Sequence, residues 1–164
     1  MSAVTELPRT LKIATVWMLI GTAVFLGVQA FEAQQQKTRF SASSGVIELR
    51  RAPDGHFHWP GEVNGVRADF LVDTGATSTA LPQRLAERAG LVAQGRVRSS
   101  TAGGTVQGYL AQADIALDGD VRAERLRVTV LPALEAPLLG MDVLSRMRFS
   151  QHGGTLRLEA GDAR

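Results

Sequence analysis

The chain contains no cysteine among its 164 residues. That absence excludes disulfide bonds, thiol catalysis and cysteine-based metal sites, and it leaves the redox compartment open. Basic residues are not in large excess either, because the formal net charge is only +2 and no dense basic run occurs. A nucleic-acid-binding protein would show such a basic patch, so no nucleic-acid partner is expected. The chain also lacks internal repeats, and its length allows at most one modest domain plus flanking segments.

The N-terminal part of the chain carries no charged residue over positions 13–31. A helix needs about 20 apolar residues to cross a bilayer, so this run predicts a transmembrane signal-anchor helix. Arg9 and Lys12 precede it and favour a cytoplasmic tail over residues 1–12, with the rest of the chain across the membrane. The alternative is a cleaved signal peptide, because residues 28–30 place small side chains where signal peptidase cuts.

Polar residues follow this run, including a glutamine triplet and a serine-rich stretch, and they predict a flexible linker over 32–45. After the linker, many short strand-like segments separated by turn residues predict an all-β domain. Hairpin turns are expected at three dipeptides, Asn64-Gly65, Asp118-Gly119 and Gly153-Gly154.

Two short helices are expected within this domain. The first is opened by Pro82 and ended by Gly90, since proline suits the first turn of a helix and glycine its end. The second is expected over 143–147, with Asp142 in position to cap it.

The most informative segment is an apolar run that delivers a carboxylate into a tight turn. The run, residues 70–72, predicts a buried strand. The loop that follows it consists of Asp73, Thr74, Gly75, Ala76 and Thr77. Gly75 lets the backbone fold close beneath the Asp73 carboxylate, and Thr74 supplies a hydroxyl group. An ordinary turn aspartate is the alternative interpretation.

A second segment, Leu138-Leu139-Gly140, follows far downstream and precedes the second predicted helix. With the Asp-Thr-Gly-Ala-Thr loop and the hairpin-like residues 54–65, it resembles the retropepsin-like aspartic proteases. Within them, the chain is similar to bacterial membrane-anchored proteins with a single Asp-Thr-Gly motif. The resemblance covers about residues 46–158 and leaves 159–164 as a C-terminal tail.

The resemblance implies a closed retropepsin-like β-barrel and an aspartic endopeptidase that acts on polypeptides without a cofactor. It also implies a location on the bacterial inner membrane, with the catalytic domain facing the periplasm. Leu138, Leu139 and Gly140 are interpreted as structural support beneath the catalytic loop. Ala102, Gly103 and Gly104 lie where these proteases carry the flap that closes over substrate, although a plain turn is the alternative.

The number of catalytic motifs determines the expected assembly. No other aspartate precedes Thr-Gly or Ser-Gly. Aspartic proteolysis needs two carboxylates about 3 Å apart that share one proton. One Asp73 per chain therefore predicts a two-fold homodimer in which both copies of Asp73 meet on the axis. The resemblance implies that Thr74 forms a hydrogen bond across that axis.

The sequence also allows alternatives to this function. His56 and His58 would share one face of a strand, but a zinc site needs at least three protein ligands and no third is evident, so we expect no metal. A catalytically silent, membrane-tethered peptide-binding module of the same fold is the main alternative. A structural protein whose hairpins pair with a membrane partner is the other.

Overall fold

The computed structural model describes residues 9–35, 39–42, 45–101 and 104–160. The chain divides into two compact units, Met1–Lys37 and Thr38–Arg164. In the first unit, the described residues form one helix, α1, which runs over Arg9–Gln35 and so extends beyond the predicted run at both ends. Among the described helices, none is both long and apolar enough to cross a membrane. The structure therefore does not support the transmembrane part of the prediction.

The second unit is built mainly from short strands. They are β1 Arg39–Ala42, β2 Val46–Arg50, β3 His58–Val63, β4 Val66–Val72, β5 Ala80–Pro82, β6 Gly95–Thr101, β7 Gly104–Leu117, β8 Val121–Leu131, β9 Leu138–Leu139, β10 Met147–His152 and β11 Thr155–Ala160. Two short helices, α2 over Gln83–Arg88 and α3 over Met141–Leu144, interrupt the strands. This composition confirms the all-β prediction with two short helices.

Eight strands form one sheet in the order β1-β8-β5-β9-β4-β3-β7-β6. An additional pairing of β7 with β8 closes the sheet into a barrel. The closed barrel confirms the predicted architecture. A separate antiparallel sheet, in the order β10-β11-β2, joins the start of the domain to its end.

Alternating apolar residues on the strands fill the barrel. Trp59 and Phe70 lie opposite each other on β3 and β4, and both are fully buried. The Trp59 indole N–H donates to the carbonyl oxygen of Asp118 at 2.9 Å, which satisfies its one polar atom. The hairpin turn at Asn64-Gly65 is confirmed, because Val63 pairs with Val66 and both turn residues have positive φ.

Two segment boundaries differ from those expected. Residues 39–42, assigned to the linker, form β1, which pairs antiparallel with β8 from Arg39↔Glu124 to Ala42↔Val121. β1 could not be inferred from composition because a distant strand supplies its hydrogen-bond partners. At the other end, β11 continues to Ala160 and so extends two residues into the predicted tail.

Candidate active site

Asp73 directly follows β4, and the backbone beneath it is held by β9. The two strands run parallel, with Leu71 opposite Leu138 and Val72 opposite Leu139. The Asp73 N–H extends this ladder by donating to the carbonyl oxygen of Leu139 at 3.0 Å. The predicted supporting segment therefore lies beside the strand that carries the candidate catalytic carboxylate.

The loop after Asp73 fixes the direction of its side chain. The Gly75 N–H donates to Asp73 Oδ1 at 2.8 Å, and the Asp73 side chain is half-buried. The Ala76 N–H donates to the Asp73 carbonyl oxygen at 3.3 Å, which closes the turn. A Cβ atom at Gly75 would lie 3.2 Å from Asp73 Oδ1, so a side chain there would crowd the carboxylate. Thr74 and Thr77 are exposed.

Gly140 lets the segment after β9 pack directly against the second half of this loop. A Cβ atom added at Gly140 would lie 2.5 Å from the Ser78 carbonyl carbon and 2.9 Å from the Thr79 nitrogen. These atoms belong to the backbone and have no room to move, so only glycine fits at position 140. The next residue, Met141, donates its N–H to the Ala76 carbonyl oxygen at 2.8 Å.

Hydrogen bonds between Thr79 and Asp142 also connect the end of the Asp73 loop to the segment after β9. Asp142 Oδ2 accepts the Thr79 N–H at 2.9 Å, and Asp142 Oδ1 accepts the Thr79 hydroxyl at 2.8 Å. The Thr79 hydroxyl oxygen in turn accepts the Gly140 N–H at 3.3 Å. Thr79 is fully buried, so these bonds form away from water.

The predicted helix cap at Asp142 is therefore wrong. The N-cap of α3 is Gly140, which makes no side-chain cap hydrogen bond, and α3 begins before the predicted start. The Asp142 carboxylate is engaged instead by Thr79, far away in sequence. Sequence reasoning missed Thr79 altogether. The available signal was a hydroxyl residue shortly after Asp73 together with a carboxylate shortly after Gly140.

The predicted flap coincides with the β6–β7 hairpin. The register runs from Gly95↔Leu110 to Thr101↔Gly104, so β6 and β7 pair along the whole length of β6. Ala102 and Gly103 lie outside the described residues. Gly104 opens β7 with a φ of 109°, a conformation that favours glycine.

His58 lies between two carboxylates at the start of β3. Its Nδ1 is 2.7 Å from Asp69 Oδ2, and its Nε2 is 2.8 Å from Asp54 Oδ2. The hydrogen bonds with Asp54 and then Asp69 raise the pKa of His58 above its ordinary value of 6.5. The ring therefore bridges two acidic groups. Sequence reasoning had treated His58 as an ordinary strand histidine.

This bridge lies close to the Asp73 loop along the backbone. The residue before His58, Phe57, accepts the Val72 N–H on its carbonyl oxygen at 2.9 Å, and Val72 directly precedes Asp73. The hydrogen bonds of His58 thus hold in place the neighbouring Phe57, which pairs with the last residue of β4.

Known proteins are similar to this chain in sequence and in fold. The profile of the family described as gag-polyprotein putative aspartyl protease matches residues 59–146 of this chain. An uncharacterized protein of Rickettsia prowazekii (strain Madrid E) is 31% identical over 114 residues, which are 67% of this chain and 49% of that protein. The chain therefore spans about half the length of this curated relative.

A solved structure is also similar. The crystal structure of a retropepsin-like aspartic protease from Rickettsia conorii aligns with a TM-score of 0.56 and 26% sequence identity. The alignment covers 76% of this chain and 94% of that chain. The closed barrel and the Asp73 loop thus define a retropepsin-like aspartic protease fold. By its sequence, the chain belongs to the gag-polyprotein putative aspartyl protease family.

We expect Thr79→Val to destabilise the fold, because the substitution keeps the shape but removes the hydroxyl between Asp142 and Gly140. Leaving buried polar groups without partners costs about 1–3 kcal/mol. The free energy of unfolding in urea should fall by that amount. Thr79→Ser, which keeps the hydroxyl, is the matched control and should lose less. Equal losses in the two variants would contradict a role for the hydrogen bonds.

The stability of the fold should also depend on pH through His58. Because its pKa is raised in the folded state, its contribution is fully present below 6.5 and is lost as the pH rises through the folded value. The advantage of the wild type over His58→Gln in urea unfolding should therefore be larger at about pH 5.5 than at about pH 9.

The control for this pH effect is His152→Gln. His152 is exposed, and no described hydrogen bond involves its ring. Its substitution should leave the difference between the two pH values unchanged. A His58→Gln variant that parallels the wild type at both pH values would show that the bridge does not contribute to stability.

Proposed function

We propose that this chain is an aspartic endopeptidase that acts as a two-fold homodimer. The observation that supports this most directly is the Asp73 carboxylate, half-buried at a strand end and oriented by the Gly75 N–H at 2.8 Å. Within the described part of the chain, its Oδ2 atom accepts no hydrogen bond and is free to face a reactant. A single chain supplies one such group, and the chemistry requires two.

In the proposed dimer, the two Asp73 carboxylates hold one water and share one proton. The ionised carboxylate takes a proton from the water, whose oxygen attacks the peptide carbonyl carbon while the protonated carboxyl donates to the carbonyl oxygen. The resulting tetrahedral diol then breaks its C–N bond. The carboxyl that took the proton of the water donates it to the leaving nitrogen, while the other carboxylate removes a proton from a diol hydroxyl, so the dyad again holds one proton. The shared proton belongs to the pair and not to either residue.

The surrounding residues take supporting roles in this proposal. Thr74 is exposed, and its hydroxyl would bond with the partner protomer across the axis, as the resemblance implies. The predicted flap, which consists of Ala102, Gly103 and Gly104 and follows β6 in the chain, would cover the substrate and exclude water. Its backbone groups would hold the substrate as an added strand.

We further propose that α1 attaches the protein to the bacterial inner membrane, with the barrel in the periplasm. The proposal is supported by the uncharged sequence over 13–31 and by exposed apolar side chains on α1, including Trp17 and Met18 at 68% and 72%. A water-soluble helix would cover or replace such side chains. The shared membrane would also raise the effective concentration of weakly pairing protomers.

The membrane proposal predicts that the full-length protein stays in the membrane fraction after carbonate washing, because apolar contacts resist that treatment. An alkaline phosphatase fused to the C-terminus should be active only if the barrel lies in the periplasm. Removal by carbonate, or an inactive fusion, would contradict the location. A soluble form starting near residue 31 would identify a cleaved signal peptide instead.

Asp73→Asn should abolish cleavage of denatured casein while leaving the fold intact, because the amide keeps the shape but cannot carry the shared proton. Added to fully dimeric wild type in equal amount, the variant should lower activity to about half, since random pairing forms mixed dimers with one carboxylate. Turnover rates and thermal unfolding would measure both effects.

The matched control is Asp120→Asn. Asp120 is exposed in a turn with a φ of 58°, a conformation that asparagine adopts readily. This variant should remain active and should not inhibit the wild type. Undiminished activity of Asp73→Asn would exclude Asp73 as the catalytic acid, and unchanged activity on mixing would exclude the shared site. A folded wild type that binds peptides without cleaving them would support the silent binding module.

A further inference from the structure

A cleft of about 530 Å³ lies on the barrel beside α2. The residues that line it come from α2, from the preceding Pro82 at the end of β5, from the segment 132–137 between β8 and β9, and from Arg67 and Ala68 of β4. Its volume falls within the range of about 300–1,000 Å³ that is usual for ligand sites. None of the predicted site residues lines it, so it is distinct from the Asp73 loop.

Two arginines make this cleft basic. Arg84 and Arg88 lie one helical turn apart on α2 and both line the cleft. Both side chains are exposed, and no described ion pair or hydrogen bond engages either guanidinium group. Arg67 also lines the cleft, but Asp118 at 3.2 Å and Glu62 at 3.8 Å already balance its charge. The available positive charge therefore belongs to α2.

The segment 132–137 contributes apolar side chains and one acid to the cleft. Pro132 is exposed and Leu134 is half-buried, and Glu135 contributes the one carboxylate among the described residues that line the cleft. No described ion pair joins Glu135 to Arg84 or Arg88. Two unpaired cations beside apolar side chains in one open cleft suit an extended peptide better than a small ion, which needs converging donors.

The cleft is connected to the candidate active site through the backbone. The Pro137 carbonyl oxygen accepts the Leu71 N–H at 2.8 Å, and two residues later the Leu139 carbonyl oxygen accepts the Asp73 N–H at 3.0 Å. The segment 132–137 leads directly into β9, which supports the Asp73 loop. A polypeptide bound to this segment would therefore contact the residues that directly precede β9.

We propose that this cleft is an accessory binding site for an acidic, extended stretch of the polypeptide substrate, held by Arg84 and Arg88. The inference rests on the proposed protease function and adds a substrate class to it. The Cβ atoms of residues one turn apart on a helix are about 5–6 Å apart. Alternate side chains of an extended chain are about 7 Å apart, so acidic residues at positions i and i+2 match the two guanidinium groups.

The test measures binding separately from cleavage. Two fluorescent peptides would be identical except that alternate positions carry Glu in one and Gln in the other. Their affinities would be measured by anisotropy with the full-length Asp73→Asn chain, which cannot degrade them. We expect the Glu peptide to bind about fivefold more tightly at low salt, because exposed ion pairs are individually weak, and the difference should shrink as salt is added.

Variants of the cleft test the assignment to particular residues. R84Q/R88Q should remove the preference for the Glu peptide. E135Q should increase it, because the opposing carboxylate is lost. R122Q/R127Q removes two exposed arginines from β8, outside the cleft, and serves as the control that retains the preference. Equal affinity for both peptides, or the same loss in the control, would overturn the proposal.

Two more outcomes separate the possible errors. If a single-stranded RNA oligonucleotide bound through Arg84 and Arg88 more tightly than the Glu peptide, the cleft would serve nucleic acid and the proposal would fail. If the wild type bound the Glu peptide through these arginines but cleaved no substrate, the accessory site would stand and the protease function would fail. Cleavage of casein-derived peptides without any acidic preference would overturn the accessory site alone.

Discussion

The parallel pairing of β4 with β9 is the constraint on which the candidate site depends. Two residues on each strand pair, and the Asp73 N–H adds one more bond to Leu139. β9 is distant from β4 in sequence, so the backbone of Asp73 is held by a contact between remote parts of the domain. Parallel pairing requires a long connection between its strands, and here that connection contains most of the barrel. The support beneath the Asp73 loop thus depends on the global fold.

Local sequence nevertheless identified much of the fold. The Asp73 loop, the Asn64-Gly65 hairpin and both short helices were predicted from sequence. This was possible because turn residues and apolar runs determine the conformation of residues close to them in the chain. The Thr79–Asp142 contact was missed for the opposite reason. Asp142 was assigned to the nearest helix end, whereas its partner is brought to it by tertiary packing. Short-range rules cannot choose between a local and a distant donor when both are chemically suitable.

The same reasoning explains His58 and β1. His58 and Asp54 are close in sequence, but Asp69 reaches the ring only because β3 and β4 pair with Pro60 opposite Asp69. β1 forms a strand because the backbone of β8 pairs with it, although the residues of β1 resemble a linker. Both features depend on strand register, and a shift of one residue would turn each side chain to the other face of the sheet.

The arginines of this chain differ in whether nearby carboxylates pair with them. Arg67 is balanced by two carboxylates, and as an exposed ion pair it contributes little to stability. Arg84 and Arg88 have no described partner inside the chain, so they have no intramolecular bond to give up when an anionic group approaches. Because a bound peptide would exclude water from both guanidinium groups at once, their attraction would strengthen on binding. In the proposed accessory site, this uncompensated charge would serve to select a substrate and not to stabilise the barrel.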